Sequence, residues 1–235
     1  MADKSVVSLK DLLEAGVHFG HRIRRRHPKM GPFIYTARDG VHIFDLEQVV
    51  QKLSEAVGFL KELGKDGKSL LMIGTKRQAM EAIEKAATES GAAFITKRWV
   101  GGLLTNWGQV SQNIERLKKL EAKREAGEFK NYTKLERLNI DRQIQKLSEV
   151  YGGLRELENL PDAVFILDVH REKAAADEAK NKSITIVAIC DTNADPQGID
   201  YVIPGNDDAR RAIELYCEIL GKGYQQGRKQ MKSRG

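Results

Sequence analysis

Runs of apolar residues that leave no polar face constrain this chain more than any other feature of its sequence. Ser69-Leu-Leu-Met-Ile-Gly74, Asp162-Ala-Val-Phe-Ile-Leu-Asp168 and Ile184-Thr-Ile-Val-Ala-Ile-Cys190 are apolar at nearly every position, and Ala93-Phe-Ile95 and Tyr201-Val-Ile203 are shorter versions. A strand apolar on both sides must be covered on both sides, which favours a parallel sheet between helical layers. Helical patterns stand between the runs: Gln78 to Ser90 with Gly91 as its stop, Glu172 to Lys180, and Asp207 to Leu220. The alternation predicts an α/β fold of the doubly wound type, a three-layer sandwich.

The N-terminal part obeys local rules. Ser8 with Asp11 forms a near capping box for a short helix that Gly16 closes. Arg38-Asp39-Gly40 carries an Asp-Gly turn signal between Phe33-Ile-Tyr and Val41-His-Ile-Phe, which predicts a hairpin. Asp45 caps a helix running to Leu63, with Leu46, Val49, Val50, Leu53, Val57 and Leu60 on one face and Gly64 beyond its end. The intervening stretch, His21 to Met30, reads as a basic loop.

Between residues 103 and 157 the strand–helix rhythm stops. Leu103, Trp107, Val110, Ile114 and Leu117 repeat at four-three spacing, and so do Ile140, Ile144, Leu147, Tyr151 and Leu154. A turn-rich link joins them, and Thr133 with Glu136 forms a capping box. Two such stripes predict an antiparallel coiled-coil hairpin inserted into the α/β domain, residues 103–157 against 1–102 and 158–235. The first stripe fails distally, where Glu121 and Arg124 take seam positions. A helix of about 20 residues is about 30 Å long, so the hairpin should project.

Charge narrows the function. Lys and Arg outnumber Asp and Glu by 39 to 33, a net charge of +6, and nucleic acid is the commonest partner of such a surface. Cys190 and Cys217 are too few for a disulfide framework or a thiolate zinc site and read as small core residues. No apolar stretch approaches the roughly 18 residues of a membrane span, and Met1 to Lys10 lacks an apolar segment of signal-peptide length; a cytosolic chain is expected. Gly74-Thr-Lys76 follows a strand without the rest of a phosphate cradle, and no Gly-x-Gly-x-x-Gly follows any strand. No Gly-x-Ser-x-Gly elbow is present. Asp207-Asp208 reads as a helix cap complementing the dipole. An enzyme binding an anionic cofactor therefore lacks its residues. One ion site is conceivable: His21, Asp191 after a strand and Asp207 at a helix start could converge on a single divalent metal ion at the sheet's carboxyl edge. No other cofactor is required.

The strongest local signal is His21-Arg-Ile-Arg-Arg-Arg-His-Pro-Lys-Met30. Arg22, Arg24, Arg25, Arg26 and Lys29 crowd together, and guanidinium forks pair phosphate oxygens bidentately. Charges this dense repel one another unless an anionic surface neutralises them. Lys97 and Arg98 add cations beside Trp99, whose ring either stacks on a base or packs where hairpin meets sheet. Trp107 reads as packing. Lys76 and Arg77, after a strand's carboxyl end, are secondary RNA candidates.

Read in order, Gly16-Val-His-Phe-Gly-His21, Pro28-Lys-Met30, Pro32-Phe-Ile34, Val41-His-Ile43 with Asp45-Leu46, Gly74-Thr-Lys76, Arg98-Trp-Val-Gly-Gly-Leu-Leu-Thr-Asn-Trp107, Leu160-Pro-Asp-Ala163, Asp191-Thr-Asn193 and Ile203-Pro-Gly-Asn-Asp-Asp-Ala209 span almost the whole chain. Together they resemble the bacterial small-subunit ribosomal protein S-two family. The resemblance implies a flavodoxin-like domain with an inserted coiled-coil hairpin. It implies a non-enzymatic constituent of the cytoplasmic small ribosomal subunit, on its solvent side between head and body. The partners implied are ribosomal RNA and other small-subunit proteins, with no membrane and no small-molecule substrate. Members join late in assembly and help hold protein S-one, which captures messenger RNA. Arg26 replaces an aromatic residue common in the family, and His27 an asparagine, so a charge stands where a ring is usual. The chain closes on a basic run, Arg228 to Arg234, where some relatives are acidic. A free RNA chaperone using the same surface is the remaining alternative.

Overall fold

A computed structural model describes residues 7–233; residues 1–6 and Arg234 of the basic run lie outside them. Helix α1 (Leu9–Glu14) starts on the Ser8–Asp11 capping box, and Gly16 follows at φ +74°. Strand β1 (Phe19–Arg22) then leads through two short 3-10 turns, Ile23–Arg25 and Pro28–Phe33, into β2 (Ile34–Arg38) and β3 (Val41–Phe44). Asp39 and Gly40 both turn at positive φ, as an Asp-Gly hairpin requires. These strands form an antiparallel sheet in the order β1-β3-β2, which the reading of residues 21–30 as loop did not foresee. Strand β1 carries no clean alternation because it pairs through a bulge: Phe19 faces Ile43 and Arg22 faces Val41, so β1 spends an extra residue.

Helix α2 (Leu46–Lys65) is capped by Asp45, whose Oδ1 accepts from the Glu47 and Gln48 amides. It runs through Gly64 instead of stopping there. Strand β4 (Leu70–Ile73), helix α3 (Met80–Ser90) and strand β5 (Ala93–Ile95) follow, with Gly91 left-handed at the end of α3. After the hairpin helices α4 (Trp107–Glu125) and α5 (Lys134–Tyr151), the pattern resumes with β6 (Ala163–Ile166), α6 (Lys173–Asn181), β7 (Thr185–Cys190), β8 (Tyr201–Pro204) and α7 (Arg210–Lys232). The strands make one parallel sheet in the order β5-β4-β6-β7-β8. Numbered from β4, this is the 2-1-3-4-5 order of flavodoxin-like folds. The α/β expectation holds: β4 and β6 are buried along their whole length, between α2, α3 and α7 on one face and α6 on the other, as right-handed crossovers dictate.

Helix α7 continues well past Leu220, and the glycines explain both misread helix ends. A Cβ on Gly64 would stand 2.5 Å from the Tyr224 carbonyl, and one on Gly227 would stand 2.0 Å from the Lys61 carbonyl. Gly223 meets Val57 and Gly221 meets Ala86 in the same way. Glycine here lets two helix backbones touch, a role the sequence does not distinguish from a stop.

Helices α4 and α5 fold back on one another, with Val110, Ile114, Leu117 and Ile144 buried. Asn113 reaches the Tyr151 hydroxyl near the root. The acidic seam residue Glu121 is met by Arg155 through paired bonds of 3.0 and 2.6 Å. Farther out, residues 134–139 of α5 are exposed, and Thr133 with Glu136 closes the outer end as a capping box. The root is seated on β5, since a Cβ on Gly153 would lie 2.2 Å from the Phe94 carbonyl.

The glycine contacts make a paired expectation. Gly227→Ala should cost about 1–3 kcal/mol by overpacking, read from urea denaturation. Gly58→Ala, in α2 with open space around its Cβ position, should gain up to about 1 kcal/mol from lost unfolded-state freedom. Equal stability of the Gly227 variant and the parent would refute the close-approach account.

Candidate nucleic-acid interface

In a 2-1-3-4-5 sheet the ligand crevice lies at the carboxyl ends of the first and third strands, where strand order reverses. Here those are β4 and β6, and their own side chains fill the crevice. The Lys76 ammonium, only 13% exposed, lies 2.8 Å from Asp168, 2.6 Å from Asp207 and 2.8 Å from Asp208. Beside it, the buried Glu172 carboxylate accepts from the Thr75 amide and hydroxyl, while Arg171 donates to the Thr75 hydroxyl. Burial disfavours the Lys76 charge, but the surrounding carboxylates outweigh it and hold the ammonium protonated. A bound phosphate would meet carboxylates where a nucleotide-binding fold offers amides.

Lys76 is therefore a correction to the RNA-binding set: its charge is consumed inside the protein. The Asp207-Asp208 reading is corrected with it. The N-cap of α7 is Ala209, with no side-chain cap; Asn206 accepts from the Asp208 and Ala209 amides in the turn before the helix, and the two aspartates face Lys76.

The candidate ion ligands do come to this edge, but differently from expectation. His21 directs Nδ1 to Asp191 at 3.0 Å and Nε2 to Asp208 at 3.5 Å, leaving no ring nitrogen for Asp207. Among the described residues no three His, Cys, Asp or Glu side chains are arranged around a metal position. One acceptor is left over: Asp207 Oδ2 is buried without a hydrogen-bond partner. Burial, then the neighbouring Asp168 and Asp191, push the Asp207 carboxyl up to about 8. The hydrogen bond to Asp191 raises His21.

Around this acidic centre stands a cationic rim. Arg22, Arg24, Arg25 and Arg26 are all exposed. The ion pairs of the loop belong to His21, His27 and Lys29, and among the described residues none engages these four guanidinium groups. Lys29 is exposed too, and lies 3.4 Å from Asp195. The loop is tied to the parallel sheet through Thr192, just after β7: its hydroxyl accepts from the His21 amide at 2.9 Å and its carbonyl from the His27 amide at 2.7 Å. Gly20 permits this approach, since a Cβ there would come within 2.5 Å of the Thr192 side chain. Asn206 completes the anchorage by donating to the Gly16 carbonyl. Arg77 is exposed after β4, and Lys97 and Arg98 after β5. Arg77, Lys97 and Arg98 thus share one sheet edge with the loop's anchor, β5 and β7 being roughly 14 Å apart at about 4.8 Å per strand.

Trp99 and Trp107 are both partly buried against the core, the packing alternative for each. Cys190 and Cys217 are free and buried, and burial pushes both thiols up, which removes them as nucleophiles. Sequence reasoning missed Asp168, Glu172 and Thr192. Only Asp168 had a usable signal, as an acid closing an apolar run at a carboxyl end.

Residues 12–227 match the sequence model of the family described as Ribosomal protein S2. The chain is 42% identical over 228 residues to the small ribosomal subunit protein uS2 of Bdellovibrio bacteriovorus, covering 97% of this chain and 73% of the relative. It is 48% identical over 220 residues to that of Roseobacter denitrificans, covering 94% and 84%. For the protein of the same name from Colwellia psychrerythraea the identity is 46% over 226 residues, covering 96% and 93%.

The leftover acceptor sets a pH dependence. Asp207 and His21 are both raised in the folded chain, from ordinary values of 3.8 and 6.5. The folded state then holds protons that the unfolded state releases, so their stabilisation is complete below the ordinary values and is lost as pH climbs through the folded ones. The melting temperature of chelator-dialysed protein should fall from about pH 5 to about pH 8, and Asp207→Asn should flatten that fall. An unchanged slope in the variant would mean that Asp207 is ionised against Lys76. Stoichiometric divalent metal in the dialysed sample would replace the proton by an ion on His21, Asp191 and Asp207.

Proposed function

The chain belongs to the ribosomal protein S2 family and is a structural, non-enzymatic constituent of the small ribosomal subunit, which is cytoplasmic in bacteria; from that premise we propose that it binds ribosomal RNA through the cationic rim of its sheet edge. The observation carrying this reading is the exposed row Arg22, Arg24, Arg25 and Arg26, which among the described residues forms no salt bridge, in a loop held at His21 and His27 by hydrogen bonds to Thr192. Phosphate contacts fix a protein's register on RNA without reading sequence. Lys29, Lys97, Arg98 and Arg77 extend the footprint, and the acidic centre steers phosphates outward to the rim.

The hairpin is proposed as an insertion that carries the footprint to a second surface of the subunit. Late joining in assembly and a share in holding protein S-one complete the reading. Support for a protein partner comes from apolar side chains left exposed near the N-terminus: Leu9, Leu13, Phe19, Ile23 and Tyr35, the last 77% exposed. Purified subunits carrying Tyr35→Ser with Leu13→Ser should retain less S-one, and full retention would remove this surface from its docking.

The central test is salt. Each phosphate neutralised by Lys or Arg releases counterions, so log affinity falls with log salt by about 0.7–0.9 per contact. Changing Arg22, Arg24, Arg25 and Arg26 together to Gln should weaken rRNA binding and make the slope shallower by about three units, with the fold intact because these side chains are exposed. Weaker binding at an unchanged slope would mean the arginines act by shaping the loop. Full affinity would move the RNA site to the hairpin, and the same titration on a chain with residues 104–156 replaced by a Gly/Ser linker would show it. That shortened chain should still melt cooperatively if the hairpin is an insertion.

A further inference from the structure

Residues 97–106 run from β5 into the hairpin without regular secondary structure. Backbone N–H groups in such a segment need partners when water is kept out, and one side chain supplies several of them. Glu178, on α6, accepts through Oε1 from the Trp99 indole N–H at 3.0 Å and the Gly102 amide at 2.8 Å. Through Oε2 it accepts from the Leu104 amide at 3.0 Å, the Thr105 amide at 3.1 Å and the Thr105 hydroxyl at 3.1 Å. Gly102 turns at φ +87° to aim its amide inward, and the neighbouring Leu103 and Leu104 are buried. The segment is an anion-binding nest, and the anion it holds belongs to the protein.

We propose that Glu178 is the positioning residue of the RNA interface: by binding this nest it fixes the direction of the hairpin root and the presentation of Lys97 and Arg98. This role rests on the RNA-binding reading above. Burial works against the Glu178 charge, but the donors from Trp99, Thr105, Gly102 and Leu104 prevail and hold the carboxyl below its usual range, so the group is an anion at neutral pH. The two oxygens serve separate donor sets, and no neutral isostere can do the same. In a glutamine one oxygen becomes an NH2, which would face either Trp99 and Gly102 or Leu104 and Thr105, donor against donor. The indole N–H is spent within the protein, which ties Trp99 to the same pin.

The test uses the full chain with Glu178→Ala and Glu178→Gln, read by amide exchange, tryptophan fluorescence and rRNA titration across salt. In the Ala variant exchange at Gly102, Leu104 and Thr105 should accelerate by about tenfold or more, and in the Gln variant exchange should accelerate at whichever donor set faces the NH2, as expected for donors that lose a charged acceptor. Affinity for rRNA should fall by about tenfold, and the salt slope should become shallower by roughly one unit as Lys97 and Arg98 lose their fixed placement. Acetate or formate, compared with chloride at equal ionic strength, should restore both protection and affinity to the Ala variant by refilling the nest. The isosteric Gln variant keeps the experiment decisive if the Ala variant unfolds. Faster exchange with unchanged affinity and slope would overturn the proposal and leave Glu178 a role in the fold alone, and so would a Gln variant that binds as the parent does. Failure of the RNA reading itself would appear elsewhere, in parent protein that does not bind rRNA, and would take this role of Glu178 with it.

Discussion

The Lys76 ammonium is the contact on which the rest of the molecule depends. Carboxylates arrive at it from the end of β6 (Asp168) and from the turn before α7 (Asp207 and Asp208), and a fourth, Asp191 after β7, joins them through His21. Removing one partner of a buried ion cluster typically costs about 3–5 kcal/mol because the others stay buried and uncompensated. The cluster therefore locks the carboxyl ends of the central strands together. It also occupies the crevice in which this topology elsewhere holds ligands, so that the scaffold presents its outer rim and keeps its centre closed.

Where the sequence was legible, a single physical requirement dictated the residues. Ala163–Ile166 and Leu70–Ile73 could be read as buried strands because both of their faces had to be apolar. The Ser8 and Thr133 capping boxes could be read because a helix start needs those particular acceptors. Legibility ended where one residue type serves two ends. Gly64 and Gly221 look like stops, yet they sit inside helices because another backbone lies against them. Strand β1 escaped notice because its bulge removes the alternation that marks a half-buried strand, and the Asp207-Asp208 pair looked like a cap because its cationic partner is far away in sequence.

The proposed interface divides in the same way. Arginines crowded into one loop announce themselves, since their spacing along the chain is the signal. Glu172 and Glu178 do not. Each is one acid on or just before a helix rich in charge, indistinguishable in sequence from a solvated side chain, and its meaning appears only when Thr75 or the segment after Trp99 folds against it. Sequence thus reveals the groups that face outward to a partner more readily than the groups that hold them in place.

The antiparallel sheet has one more property. Among the described residues strand β2 is an outer strand, paired only with β3, and its far side presents a backbone ladder without a partner strand. Exposed ladders recruit other chains into fibrils and aggregates. Here the ladder is short, and Tyr35 is the extra residue of a bulge between the Ile34–Phe44 and Thr36–Ile43 pairs, which twists the strand out of the flatness that stacking needs. Arg38 places a positive charge at its end, so a second copy approaching in register would bring a like charge against it. Two copies meeting edge to edge therefore find no flat ladder to extend, and the irregularity of this strand works against templated aggregation.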